Sequence, residues 1–174
     1  MRLILLRHAK SVKAEAGQRD NARRLNARGR DDAPVIGAYM ARHGLVPDRA
    51  LVSSATRTRE TWKRVAAALG ARPQVIHEER LYNAGIERIL ALVKKTEPSV
   101  RTLLLVGHNP GLHDVARLLI GTGDVEARER LNEKLPTSGL AVIDFAGKDW
   151  RKVHPHGGRL EHFVSPRSLA ADKV

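Results

Sequence analysis

The chain has 174 residues, 42% hydrophobic and 29% charged, with 31 lysines and arginines against 19 aspartates and glutamates and no cysteine. That balance excludes a disordered or membrane-embedded chain, and the missing cysteines exclude disulfide frameworks, thiolate zinc sites and cysteine nucleophiles. The length suits one domain over residues 1–174, the net charge of +12 favours anionic partners, and a cytoplasmic setting is the expectation.

The first predicted element is a strand, Leu3 to Leu6, whose apolar run is too short for a signal peptide and meets Arg7 and His8 at once. The arginines that follow (Arg19, Arg23, Arg24, Arg28 and Arg30) have no aromatic residue among them to stack on bases, so they read as a solvated basic face and not as a nucleic-acid site. Val35, Ile36, Tyr39 and Met40 fall on one face of a predicted helix, with Asp31 and Asp32 at its N-terminal end and Gly44 as its stop. A strand at Ala50 to Ser53 and a helix carrying Trp62, Val65, Ala66 and Leu69 come next. A strand at Gln74 to Ile76 precedes a helix with Ile86, Ile89, Leu90 and Val93. A strand at Leu103 to Val106 precedes one with Leu112, Val115, Ala116, Leu119 and Ile120. The charged stretch Val125 to Lys134 is helix-like and exposed. Leu140 to Phe145 reads as another strand, and a weaker pair is expected at Trp150 to Val153 and Leu160 to Val164. Strands alternating with helical periods predict an α/β fold of three αβα layers around a mostly parallel sheet, with no run long enough to span a membrane.

Three polar clusters stand directly after apolar strands: Arg7-His8-Ala9-Lys10-Ser11, Ser53-Ser54-Ala55-Thr56-Arg57-Thr58-Arg59 and Gly107-His108-Asn109-Pro110-Gly111. In open α/β sheets the carboxyl ends of the strands form the ligand-binding rim, and two of these clusters also open a helix, where free N–H groups favour an anion. Arginine offers a planar fork of donors matched to phosphoryl oxygens, and its charge persists at neutral pH. A neutral histidine nitrogen can attack phosphorus, whereas a protonated histidine only donates. Taken singly, His8 is an ordinary strand-end residue, His108 a turn residue and Arg57 a helix-start arginine. Their recurrence at matching strand ends points to phosphoryl transfer.

At these residues the chain resembles the histidine phosphatase superfamily, also called phosphoglycerate mutase-like, and in particular its SixA-type phosphohistidine phosphatase branch. Leu6-Arg7-His8-Ala9-Lys10-Ser11, Arg24-Leu25-Asn26-Ala27-Arg28-Gly29, Arg57-Thr58, Leu81-Tyr82 and Val106-Gly107-His108-Asn109-Pro110-Gly111 carry the likeness, which spans most of the chain. The resemblance implies His8 as the nucleophile, with Arg7, Arg57 and His108 binding the phosphoryl group and no metal or cofactor required. It implies a phosphorylated substrate, such as a phosphohistidine-containing protein. Many members place a glutamate after the third strand as general acid, where this sequence has Asn83. Glu78, Glu79 and Glu87 stand near enough in sequence to substitute and Asp20 could reach in from the first loop, while each also reads as a plain solvated side chain. A small-molecule phosphatase or mutase of the same superfamily, or a phosphate-binding or nucleic-acid-binding module without turnover, are the competing readings.

The remaining signals are weak. His154-Pro155-His156 lacks a nearby carboxylate and reads as a turn instead of a metal site. His113 is a helix-surface histidine near the rim, and Gly121-Thr122-Gly123 lacks the preceding strand and third glycine of a dinucleotide site. The sequence does not fix an oligomeric state.

Overall fold

In the computed structural model, which describes residues 1–172, seven strands build one sheet. In chain order they are β1 (Arg2–Arg7), β2 (Arg49–Ser53), β3 (Gln74–Glu78), β4 (Thr102–Gly107), β5 (Ile120–Gly123), β6 (Leu140–Phe145) and β7 (Gly158–Val164). Across the sheet they run β3-β2-β4-β1-β6-β7-β5. The β1–β4, β2–β4, β2–β3 and β5–β7 pairs are parallel, whereas β6 runs antiparallel to both β1 and β7. The helices are α1 (Ala27–Arg42), α2 (Thr56–Leu69), α3 (Ile86–Lys94), α4 (Gly111–Leu119), α5 (Val125–Glu133) and α6 (Pro166–Ala171).

Side chains alternate across a strand, so a strand buried on both faces must be apolar throughout. Leu3 to Leu6 meets that demand, with all four residues fully buried. Leu3 and Leu5 join Leu103, Leu105 and Ile143 against Ile89 of α3 and Leu112, Val115 and Leu119 of α4. Ile4 and Leu6 join Leu104, Val106 and Val142 against Ile36 and Met40 of α1 and Trp62 and Val65 of α2. The sheet thus carries a core on each face, giving the three layers that the sequence predicts.

Local departures from the sequence pattern have physical causes. Trp150 to Val153 is not a strand: residues Trp150–Lys152 form a 3₁₀ turn capped by the Asp149 side chain, which accepts from the Arg151 N–H. Trp150 and Val153 both point inward, and a spacing of three suits a 3₁₀ turn where a strand needs two. The Trp150 indole donates to the Val100 carbonyl at 2.7 Å, which fixes the ring in the core. Ile120 does not end α4 but starts β5, which pairs with β7. Gly121 allows the close approach there, since a Cβ at that position would lie 2.0 Å from the His156 carbonyl oxygen. α1 begins earlier than the aspartates suggest, because the Asn26 side chain caps it by accepting from the Gly29 N–H at 2.9 Å. α6 follows β7 behind a Ser165–Ser168 capping box with Pro166 in its first turn. Among the described residues, no helix is long and apolar enough to cross a membrane.

Gly37 of α1 lies where α1 and α2 meet, and a Cβ there would sit 2.3 Å from the Val65 carbonyl oxygen and 2.8 Å from the Ala68 Cβ. Alanine is the better helix former by about 1 kcal/mol. Overpacking against a backbone oxygen costs about 1–3 kcal/mol and has no rotamer by which to escape. The clash outweighs the propensity gain, so Gly37→Ala should lower the melting temperature by a few degrees in a thermal scan; an unchanged or raised value would refute the close packing.

Candidate active site

The pairing of Arg7 with Gly107 across β1 and β4, and of Val52 with Val106 across β2 and β4, brings three strand ends level. His8 continues from β1, its N–H donating to the Gly107 carbonyl at 3.1 Å, so His8 and His108 lie side by side with ring centroids 5.3 Å apart. β2 ends at Ser53, and α2 opens three residues later, placing Arg57 in its first turn. The Thr58 hydroxyl reaches back to the Ser53 and Ala55 carbonyls at 2.7 and 2.8 Å, fixing the turn from strand to helix. The Thr61 hydroxyl donates to the Arg57 carbonyl at 2.7 Å and accepts the Ala9 N–H at 2.9 Å. That single oxygen therefore ties the chain after His8 to the helix carrying Arg57.

His8 is buried, and its Nδ1 lies 2.8 Å from the Ala9 carbonyl oxygen. A carbonyl can only accept, so Nδ1 carries the proton and Nε2 keeps its lone pair. Burial, reinforced by the neighbouring His108, Arg57 and Arg7, lowers the His8 pKa to about 3 despite the opposing Ala9 hydrogen bond. The ring is neutral through the physiological range. His108 is also buried, and burial with the Arg57 charge lowers its pKa to about 4. Arg57 Nη2 faces His108 Nδ1 at 3.3 Å, and a guanidinium only donates. His108 therefore uses Nε2–H to donate to the Ser53 Oγ at 2.7 Å, leaving both of its nitrogens engaged. It can donate to an anion once Arg57 turns from Nδ1 and a proton arrives there.

The two arginines are incompletely satisfied. Arg57 donates through Nη1 and Nη2 to the Asp20 carbonyl and carboxylate at 2.9 and 3.1 Å, and Arg7 donates through Nη1 to the Leu135 carbonyl at 3.1 Å. The Nε atoms of both are buried with no hydrogen-bond partner. Unpaired buried donors are rare and expensive, so two of them on cations beside the same cleft mark a place suited to an anion. Arg7, His8, Arg57 and His108 together line a cleft of about 610 Å³, as do Asp20 and Asn83.

Of the candidate acid or auxiliary residues, Asp20 and Asn83 reach this cleft, whereas Glu79 does not line it. Asn83 is exposed at a φ of 51°, in the left-handed region that asparagine tolerates. Glu79 is exposed on a 3₁₀ turn, and Glu78 is occupied by Arg80 at 2.7 Å. Glu87 is exposed on α3 and also lies outside the cleft lining. Asp20 accepts from the Tyr82 hydroxyl, and that bond, with the charges of Arg57 and then the Arg23 hydrogen bond, holds its pKa down at about 2. It is a carboxylate at neutral pH and has no proton to give. His113 faces away from the chemistry, its Nε2 lying 2.6 Å from the Leu131 carbonyl. His154 and His156 sit in an exposed turn, and among the described residues no group of three or more ligand-type side chains is placed to hold a metal ion.

Some working parts carried no readable sequence signal. The Leu135 carbonyl, which receives both Arg7 and the Asn109 amide, belongs to the segment just before β6. That segment reaches the rim because β6 runs antiparallel to β1, and strand direction is not written in an apolar pattern. Thr61 had a faint signal, standing one helical turn after Arg57.

Residues 3–89 match the family model described as histidine phosphatase superfamily (branch 1). An uncharacterized protein of Mycobacterium tuberculosis is 36% identical over 164 residues, covering 93% of this chain and all of that one. Among solved structures, the putative phosphohistidine phosphatase SixA from Agrobacterium tumefaciens is similar with a TM-score of 0.81 and 33% identity, over 95% of this chain and 97% of that one. A second protein so described, from Nakamurella multipartitia, has a TM-score of 0.81 and 28% identity over 95% of each chain.

The neutral, buried histidines make stability fall with acid. In the unfolded chain both would titrate near 6.5, while in the folded chain they resist protonation down to about 3 and 4. Their lowered folded values mean that stability present above pH 6.5 is lost as the pH drops toward 4, by up to roughly 1.4 kcal/mol per pH unit for each histidine. Thermal scans from pH 7 to 4.5 should show a falling melting temperature with a shallower slope in His8→Gln; equal slopes would show that His8 is not buried in its neutral form.

Proposed function

We propose, from the premise that this chain belongs to the histidine phosphatase superfamily and to its SixA-type branch, that this phosphatase hydrolyses phosphohistidine through a covalent intermediate on His8. The observation that carries the reading is the His8 hydrogen bond to the Ala9 carbonyl, which leaves Nε2 as a neutral nucleophile in a cleft walled by two guanidinium groups. Placement of a nucleophile beside fixed positive charge supplies orientation and electrostatic stabilisation together.

The reaction runs in two displacements. Nε2 of His8 attacks phosphorus in line with the bond to the substrate imidazole, whose other nitrogen already carries a proton. The P–N bond breaks, its electron pair returns to the substrate ring, and that ring leaves neutral. His8 becomes a phosphorylated imidazolium, and its Nδ1–H bond to Ala9 strengthens as the ring gains charge. Water then attacks the phosphorus, Nε2 recovers its pair, and the phosphate leaves as the dihydrogen anion, so that no proton is left over. Arg7 and Arg57 turn donors to the phosphoryl oxygens. His108 adds a third donor once its Nδ1 is protonated, which a bound dianion promotes by offsetting the positive field around it.

The leaving group decides the substrate class. Expelling an alkoxide calls for a positioned acid, typically a contribution of about 10²–10⁴ in rate. Asn83 has no acidic proton, and Asp20 is held ionised by Tyr82, Arg57 and Arg23. An imidazole leaving group needs no such help. The whole chain acts as one domain in this reading, its cysteine-free composition suiting a reducing cytoplasm.

His8→Ala should abolish both turnover and covalent labelling by a phosphorylated substrate, seen as loss of the phosphoprotein mass; full activity in that variant would sink the mechanism. In a panel of phosphohistidine peptides, sugar phosphates, phosphoglycerates and an aryl phosphate, kcat/KM should favour phosphohistidine over alkyl esters by about a hundredfold or more. Preference for an alkyl ester would overturn the substrate while leaving the nucleophile in place.

A further inference from the structure

Beyond the catalytic cleft lies a second and larger concavity of about 740 Å³. Arg7, Lys10 and Thr137 belong to the walls of both, so the two form one continuous depression. Its cations are Arg7, Lys10, Arg28, Arg130, Lys134 and Arg167, and among the described residues no aspartate or glutamate lines it. They come from widely separated parts of the chain, Arg28 from α1, Arg130 from α5 and Arg167 from α6. Except for Arg7 these cations are exposed. Arg28 pairs with Asp32 at 3.3 Å, while Lys10, Arg130, Lys134 and Arg167 have no ion-pair partner among the described residues.

Three properties narrow what such a groove can hold. A small ligand is normally enclosed by most of its site, whereas these cations stand on long exposed side chains spread over separate elements, an arrangement suited to an extended anion. Single-stranded nucleic acid is bound without sequence preference by stacking bases on aromatic faces. The one aromatic residue in this wall is Phe163, and the Arg130 guanidinium already lies 5.9 Å from the centroid of its ring. Alongside the charges, Val164, Pro136 and Pro166 give an apolar strip, which suits a protein surface and offers nothing to a sugar–phosphate backbone.

We propose that this groove docks an acidic, amphipathic protein surface beside the phosphohistidine, its carboxylates meeting Arg28, Arg130, Lys134 and Arg167. The identity of the reacting residue rests on the phosphohistidine reading; the docking itself does not. A partner seated there directs its phosphorylated side chain past Arg7 into the cleft. Complementary charge of this kind raises the encounter rate and makes it salt-dependent.

The test uses the full chain, its Arg130→Glu/Arg167→Glu variant, and two phosphohistidine peptides of equal length, one flanked by Asp, Glu and Leu and one by Gln and Leu. The acidic peptide should be turned over with the higher kcat/KM, an advantage that the variant loses by about tenfold or more and that high salt also erodes. Hydrolysis of an aryl phosphate, too small to reach α5 or α6, should be unchanged, which also certifies the fold of the variant. Fluorescence anisotropy with the unphosphorylated acidic peptide reads docking without chemistry. Binding that the variant abolishes, even if neither phosphopeptide is hydrolysed, supports the groove while overturning the phosphohistidine reading. Equal binding of the acidic and neutral peptides, equal binding by the variant, or tighter binding of a single-stranded oligonucleotide of the same charge would overturn the groove.

Discussion

The parallel ladder of β2, β4 and β1 is the constraint on which the rest of the molecule depends. Its register sets Arg7 opposite Gly107 and Val52 opposite Val106, and each strand then hands over to a polar segment at the same level. A slip of one residue would turn every leucine of β1 to the opposite face and carry Arg7 and His8 with it. Because both faces are packed with fully buried side chains, such a slip is strongly opposed. The precision of a three-cluster site is inherited from core packing, in which Arg7, His8, Arg57 and His108 take no part.

Electrostatics then divide the labour among residues of similar type. Two histidines and two arginines stand close together, an arrangement of like charge that the protein tolerates by keeping both histidines neutral through burial. Arg57 is offset by the Asp20 carboxylate, while Arg7 rests on the carbonyl dipole of Leu135. The same burial that keeps the His8 ring uncharged also leaves the lone pair of its Nε2 free, which is what the proposed attack on phosphorus requires. Stability and chemistry draw on one fact, that protonating this ring inside the protein is unfavourable.

Much of this was legible in the sequence because it is written in strongly patterned segments. The apolar run from Leu3 to Leu6 reads as a strand, and Arg7, His8, Arg57 and His108 were readable as residues standing where such strands stop. What escaped depends on direction and distance. Trp150 and Val153 resemble strand residues until their spacing of three is weighed against the two that a strand requires. β5 begins where the stripe of α4 was expected to end, since Ile120 satisfies either element. The Leu135 carbonyl contributes through backbone, which no residue identity announces. Asp20 was readable as a candidate acid, but its ionised state follows from Tyr82 and Arg57, contacts made across long stretches of chain.

The Thr61 hydroxyl and the Ala9 carbonyl give the catalytic corner a particular mechanical character. His8 extends a strand buried in the core, and its amide, bonded to the Gly107 carbonyl, should exchange with solvent hydrogen more slowly than the amides of the exposed loop. Asp20 belongs to a run of exposed residues, from Lys13 to Ala22, whose ties to the body include the side-chain bonds to Arg57, Arg23 and Tyr82. The two halves of the site thus differ in how deeply they are anchored. His8 is anchored through backbone and core, while the carboxylate that rests on Arg57 is held from the surface by side-chain bonds alone.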